Sequence, residues 1–116
     1  MPGYEAVTEV ISSDILKVSL SGFLDAHTAP EFENLLTDLI QKGNYKLLVD
    51  MDQVEYISST GFGVFMGHIE DVRAKGGDIK FIRIPEKIFR IFSILGFTAI
   101  YEIIENDEDA VQKFTV

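Results

Sequence analysis

Lys46-Leu47-Leu48-Val49-Asp50-Met51 is a nearly unbroken apolar run set between two stretches of helical periodicity, and this arrangement restricts the chain more than any other feature. Such a run reads as a strand covered on both faces or central in its sheet. Before it, Phe32, Leu35, Leu36, Leu39 and Ile40 keep the spacing of a core-facing stripe and predict a helix over 29–42. After it, Val64, Phe65, Ile69 and Val72 predict a second helix over 60–75. A buried strand between amphipathic helices implies strand–helix–strand crossovers and parallel pairing.

The remaining punctuation fits that plan. Segments 4–11 and 15–21 read as strands joined by the polar turn Ser12-Ser13-Asp14, an antiparallel hairpin. In the second, Leu16, Val18 and Leu20 alternate with Lys17, Ser19 and Ser21, so one face is buried, and Gly22 is expected to end it. Thr28-Ala29-Pro30-Glu31 is a helix start in which Thr28 caps and Glu31 reaches back; Gly43-Asn44 is the stop. A loop is expected over 53–57, and Gly76-Gly77 ends the second helix. Residues 78–84 form the next strand. Pro85 then opens a third helix carrying Ile88, Phe89, Ile91, Phe92 and Leu95, and Gly96 closes it. A last strand over 99–104 precedes a closing helix capped by Asn106, with Asp107, Glu108 and Asp109 in its first turn. The order ββαβαβαβα predicts an α/β fold in which 1–116 form one domain. Its sheet is mixed but mostly parallel, with right-handed βα crossovers and the first strand as the antiparallel exception. With 116 residues, 47% of them hydrophobic, the chain has enough apolar material for one core.

Composition narrows the function. The sequence has no cysteine, which excludes a thiolate metal site or disulfide framework and suggests a cytoplasmic setting. A net charge of -9 repels nucleic acid and anionic lipid surfaces. No apolar run nears the roughly 18–20 residues of a membrane span, so no membrane insertion is expected. Catalysis finds little support. Of the two histidines, His68 falls about two and a half turns beyond Ser59, and His27 has no evident acid to orient it. Gly61-x-Gly63 fails the dinucleotide spacing, and no lysine follows as a phosphate loop requires. Asp50 and Asp52 stand at a strand's carboxyl end without a partner lysine on a later strand, and read as solvated loop carboxylates. The expectation is a protein without enzymatic activity, cofactor or metal.

In parallel sheets, function gathers at the carboxyl edge, where helix N-termini point outward. Two loops meet that description and should lie side by side: Gly22 to Thr28, and Tyr56 to Gly63. Ser58, Ser59 and Thr60 supply successive hydroxyls where a helix must begin, and either serine can cap it. Gly61 and Gly63 weaken a first turn by about 1 kcal/mol each relative to alanine, so bare backbone there needs a reason; one is the close approach of another chain or a phosphate. Phe62 is open to two readings, core residue at helical spacing or partner anchor, the first being commoner.

Gly22-Phe23-Leu24-Asp25-Ala26-His27-Thr28-Ala29-Pro30-Glu31 resembles the Gly-x-Leu-Asp-x-x-Thr-x-x-Glu segment of the STAS family. Ser58-Ser59-Thr60-Gly61-Phe62-Gly63 resembles the family's Asp-Ser-Ser/Thr-Gly-Leu-Gly, and Leu95-Gly96-Phe97 also fits. The resemblance implies an anti-sigma factor antagonist that works by partner switching. In such proteins the unmodified form binds an anti-sigma factor that is also a serine kinase, phosphorylation breaks the complex, and a serine phosphatase resets it. Carried over, the phosphoacceptor is Ser59, with Thr60 as second choice, and the docking surface comprises Asp25, Thr28, Ser58, Ser59, Thr60, Gly61, Phe62 and Gly63. Ser58 departs from the family's usual aspartate, which keeps capping capacity but removes a fixed charge. That departure keeps an alternative open, a STAS scaffold or subunit of a stress-signalling or lipid-transport assembly that is never phosphorylated.

Overall fold

A computed structural model describes residues 3–104 and 107–115. Its elements are β1 (Tyr4–Ser12), β2 (Ile15–Leu24), α1 (Ala29–Gln41), β3 (Lys46–Ile57), α2 (Ser59–Ala74), β4 (Asp78–Ile82), α3 (Glu86–Ile94), a 3₁₀ turn (Phe97–Ala99), β5 (Ile103–Ile104) and α4 (Asp107–Thr115). The five strands lie in chain order, β1-β2-β3-β4-β5. β1 runs antiparallel to β2 and every other pair is parallel, as the alternation of strands and helices requires.

The sheet separates two apolar layers. On one face, Leu16, Val18, Leu20, Leu47, Val49, Ile79 and Phe81 pack against the stripes of α1, α2 and α3. On the other, Ile15, Leu48, Ile82 and Ile104 pack against Phe114 of α4. The first layer is stitched by edge-to-face rings: Phe65 meets Phe32 at 5.1 Å and Phe81 at 4.9 Å, and Phe81 meets Phe92 at 5.1 Å. The buried α2 residues include the expected Val64, Phe65, Ile69 and Val72. At the end of α1, both the backbone and the side-chain amide of Asn44 donate to the Leu39 carbonyl at 3.0 Å, so the Gly43-Asn44 stop forms.

Four expectations about element ends need correction. Gly22 does not end β2: it sits at φ +88, and a Cβ there would lie 2.0 Å from the Gly3 carbonyl oxygen, so glycine lets β1 and β2 pass closely while the strand runs on. β3 likewise continues through 53–57, because those residues pair with the added end of β2 at Phe23↔Tyr56 and Leu24↔Ile57. β4 stops at Ile82, since Arg83 turns the backbone to φ +54. The last strand shrinks to Ile103–Ile104 because a 3₁₀ turn occupies 97–99. The expected Asn106 cap lies outside the described residues.

Asp50 is also not a solvated loop carboxylate. It lies within β3 with 8% of its surface exposed, and its Oδ2 meets Arg83 Nη2 at 2.7 Å and Lys17 Nζ at 3.6 Å. Asp52 is exposed, as expected.

Candidate functional site

β2 and β3 end together, and the two predicted loops leave the same edge. The Ser58 N–H donates to the Leu24 carbonyl at 2.9 Å, joining the chain before α2 to the chain before α1. Ser58 keeps extended backbone, φ -95 and ψ 173, and its Oγ accepts the Gly61 N–H at 3.3 Å. This is the N-cap geometry that satisfies one orphan donor of the helix.

With Ser58 committed to the cap, Ser59 becomes the first helical residue and is exposed, with Thr60 exposed beside it. Within the described residues, no hydrogen bond engages the side-chain hydroxyl of either. The cap takes the Gly61 N–H and the Ser58 carbonyl takes the Phe62 N–H, so the backbone N–H groups of Ser59 and Thr60 are what the first turn leaves at the positive end of the helix dipole.

The glycines divide their roles. A Cβ on Gly61 would lie 2.6 Å from the Leu24 carbonyl oxygen and 2.9 Å from Ile57 Cγ1, so its bareness serves the chain's own packing and not an outside ligand. A Cβ on Gly63 would meet nothing within 4 Å, which leaves that glycine open to solvent. Phe62, placed in the docking set from sequence, is 2% exposed and makes edge-to-face contacts with Phe92 at 5.0 Å and Phe97 at 4.8 Å. Its ring anchors α2 to α3, and a partner cannot reach it.

Asp25 and Thr28 brace the neighbouring loop. Asp25 Oδ1 accepts the N–H groups of His27 at 2.9 Å and Thr28 at 3.1 Å. Thr28 Oγ1 donates to the Phe23 carbonyl at 2.7 Å and accepts the Asp25 N–H at 3.0 Å. The expected capping box is therefore absent: the Thr28 hydroxyl is turned back into the loop and caps no helical donor. Local turn bonds of Asp and Thr outcompete the cap here. Both residues are half-buried, and they fix the shape of the loop beside Ser59.

Around Ser59 the surface is shallow. A groove of about 260 Å³ between the starts of α1 and α2 is lined by Ala26, Ala29, Pro30, Glu33, Thr60, Gly63 and Val64. A larger cleft, about 610 Å³, lies elsewhere, beside Arg83, Phe89 and Tyr101. The candidate site is the shallow edge, where the exposed hydroxyls of Ser59 and Thr60 and the N-terminus of α2 lie together. His68 pairs through Nε2 with Glu33 Oε2, tying α2 to α1, and His27 is exposed.

Sequence reasoning passed over one feature of this edge. Phe23 and Tyr56 stand opposite each other in register, with ring centroids 5.9 Å apart. Tyr56 is 47% exposed. Leu24 and Ile57 point into the core, so the residues just before them point to the opposite face of the sheet; a register shift between Gly22 and Phe23, with Val54 and Ile57 both buried, breaks the period-two pattern that would otherwise signal this. Treating 53–57 as a loop hid it.

A mostly parallel sheet with helix N-termini gathered at one edge, bearing exposed hydroxyls, defines a small α/β module. The sequence profile described as the STAS domain matches residues 6–110, and the chain belongs to that family. The anti-sigma-B factor antagonist of Bacillus subtilis is 33% identical over 97 residues, covering 84% of this chain and 88% of that protein. A crystal structure of an anti-sigma factor antagonist from Mycobacterium paratuberculosis matches with a TM-score of 0.82 at 19% identity, covering 98% of this chain and 96% of the other. The Bacillus cell fate determinant SpoIIAA in its phosphorylated form matches with a TM-score of 0.72 at 16% identity, covering 94% and 98%. At such identities the structural likeness speaks for the fold. Among the described residues, no helix is long and apolar enough to cross a membrane.

Proposed function

We propose that this protein is an anti-sigma factor antagonist that acts by partner switching and has no catalytic activity of its own. Unphosphorylated, it binds an anti-sigma factor that is also a serine kinase, using the edge formed by the loop of Asp25 and Thr28 and the start of α2. Phosphorylation of Ser59 releases that partner, and a serine phosphatase restores the first state. The observation that carries this reading is the division of labour between the serines: Ser58 is spent on the cap, while Ser59 is exposed at the first helical position. A phosphoryl group there adds about -1.5 to -2 charges beside the helix's positive end, so the fold tolerates what a docked partner does not. The curated relative from Bacillus subtilis, an anti-sigma-B factor antagonist, supports the same role.

The test is incubation with ATP and the anti-sigma kinase encoded nearest the gene, followed by mass spectrometry of residues 58–60. Phosphate on Ser59 is the expected result. Ser59→Asp should weaken kinase binding about tenfold or more, a loss of about 1.4 kcal/mol or above, with the circular dichroism melt unchanged. Absence of phosphate together with unaltered affinity would favour a scaffold that is never modified, a reading that Ser58 in place of the family's aspartate keeps in view.

A further inference from the structure

We infer that Met66 is a second modification site on the face of α2 that carries Ser59: peroxide converts its thioether to the sulfoxide, and the buried Tyr101 hydroxyl then holds the new oxygen.

An oxidant finds few sulfur targets in this chain. The sequence has three methionines and no cysteine, so no thiolate competes for peroxide. Met1 lies outside the described residues. Met51 is sealed in the core at 0% exposure, whereas Met66 is 41% exposed. Met66 follows Ser59 by seven residues of the same helix, nearly two turns, so it shares that face about 10 Å further along the axis.

The sulfur also has a fixed polar neighbour. Tyr101 Oη donates to Met66 Sδ at 3.6 Å, the hydroxyl's only acceptor among the described residues. The Tyr101 ring is 2% exposed and packs against Phe81 at 5.2 Å and Phe97 at 5.5 Å, so its oxygen is held in place. Burial pushes the phenol's pKa up, which keeps a proton there to donate. A thioether is a weak acceptor, so the reduced chain leaves a buried donor poorly satisfied. A sulfoxide oxygen is a strong one.

A thioether sulfur carries two lone pairs, and the Tyr101 bond leaves one to react. That pair attacks a peroxide oxygen: the S–O bond forms as the O–O bond breaks, and the other oxygen leaves as water. Sulfur is oxidised by two electrons and the peroxide is reduced by two. Three rotatable bonds let the side chain carry the new oxygen to Tyr101. A dithiol-dependent sulfoxide reductase reverses the step, releasing the oxygen as water while its own dithiol becomes a disulfide. The apolar tip beside Ser59 thereby becomes a polar group gripped from the core.

Hydrogen peroxide treatment of the folded chain, followed by proteolysis and mass spectrometry, tests the site. Met66 should form sulfoxide about tenfold or more faster than Met51, and unfolding in urea should erase the difference. In ring-proton NMR the Tyr101 signals should shift on oxidation of wild type and stay fixed in peroxide-treated Met66→Leu. Melting curves complete a cycle: oxidation should change Tm more favourably in wild type than in Tyr101→Phe, which has no hydroxyl to donate. Should Tyr101→Phe fold poorly, the NMR comparison decides. Met51 reacting as fast as Met66 in the folded chain overturns the inference, as does a Tyr101 signal that ignores the oxidation or an equal Tm change in both backgrounds.

Discussion

At the scale of single residues, Asp50 shows how a polar side chain is kept inside a sheet. Burial pushes its carboxyl up, but the Arg83 hydrogen bond, the Asp52 N–H and the charges of Arg83 and Lys17 more than offset this and hold it below the usual carboxylate range. A group whose folded pKa is lowered contributes stability above its unfolded value, about 3.9, and that contribution is lost as pH falls through the lower folded value. Urea unfolding of wild type should therefore show stability falling below about pH 4, and Asp50→Asn should flatten that limb. At neutral pH the same variant should cost roughly 1.5–3 kcal/mol, the worth of hydrogen bonds to a charged group. Equal acid slopes in the two proteins would refute the assignment. Nothing in the sequence distinguished Asp50 from Asp52, because the difference lies in cations brought from β2 and from the turn after β4. Phe62 was ambiguous for a related reason: its spacing fits a core stripe and a first turn equally, and only the rings of Phe92 and Phe97 decide.

At the scale of elements, α2 is held against β2 by contact of backbone with backbone at Gly61. Gly61→Ala should lower Tm and move the amide NMR signals of residues 57–60, because the added methyl meets the Leu24 carbonyl oxygen. Gly63→Ala should do the opposite: its methyl enters open space, so helix propensity alone applies and stability should rise by up to about 1 kcal/mol. The same sign for both substitutions would show that the close approach is not what fixes Gly61. The helices were legible from sequence to within a residue or two because their stripes and stops are local. Strand ends were not. β2 and β3 run past their expected limits because each pairs with the other's extension, which no local pattern records. The Thr28 cap failed in the same way, since Asp25 and Thr28 satisfy each other inside the loop.

At the scale of the whole molecule, a net charge of -9 means the folded state bears its own repulsion. Raising ionic strength from about 0.01 to 0.15 M shortens the screening length from about 30 to 8 Å, and the Tm should rise. A fall would mean that attractive pairs such as Lys46–Asp14 and Lys80–Glu102 dominate. The architecture and the edge that carries Ser59 were both legible, because element order fixes where strand ends and helix starts meet. The Phe23–Tyr56 pair was not, since it depends on strand register. The order β1-β2-β3-β4-β5 has one more outcome. Each strand lies against the one synthesised just before it, so during translation the sheet grows at a single margin and no late segment must be threaded between earlier ones. The Ser59 edge is framed by β2, α1, β3 and α2, before β4 and the elements after it join the sheet.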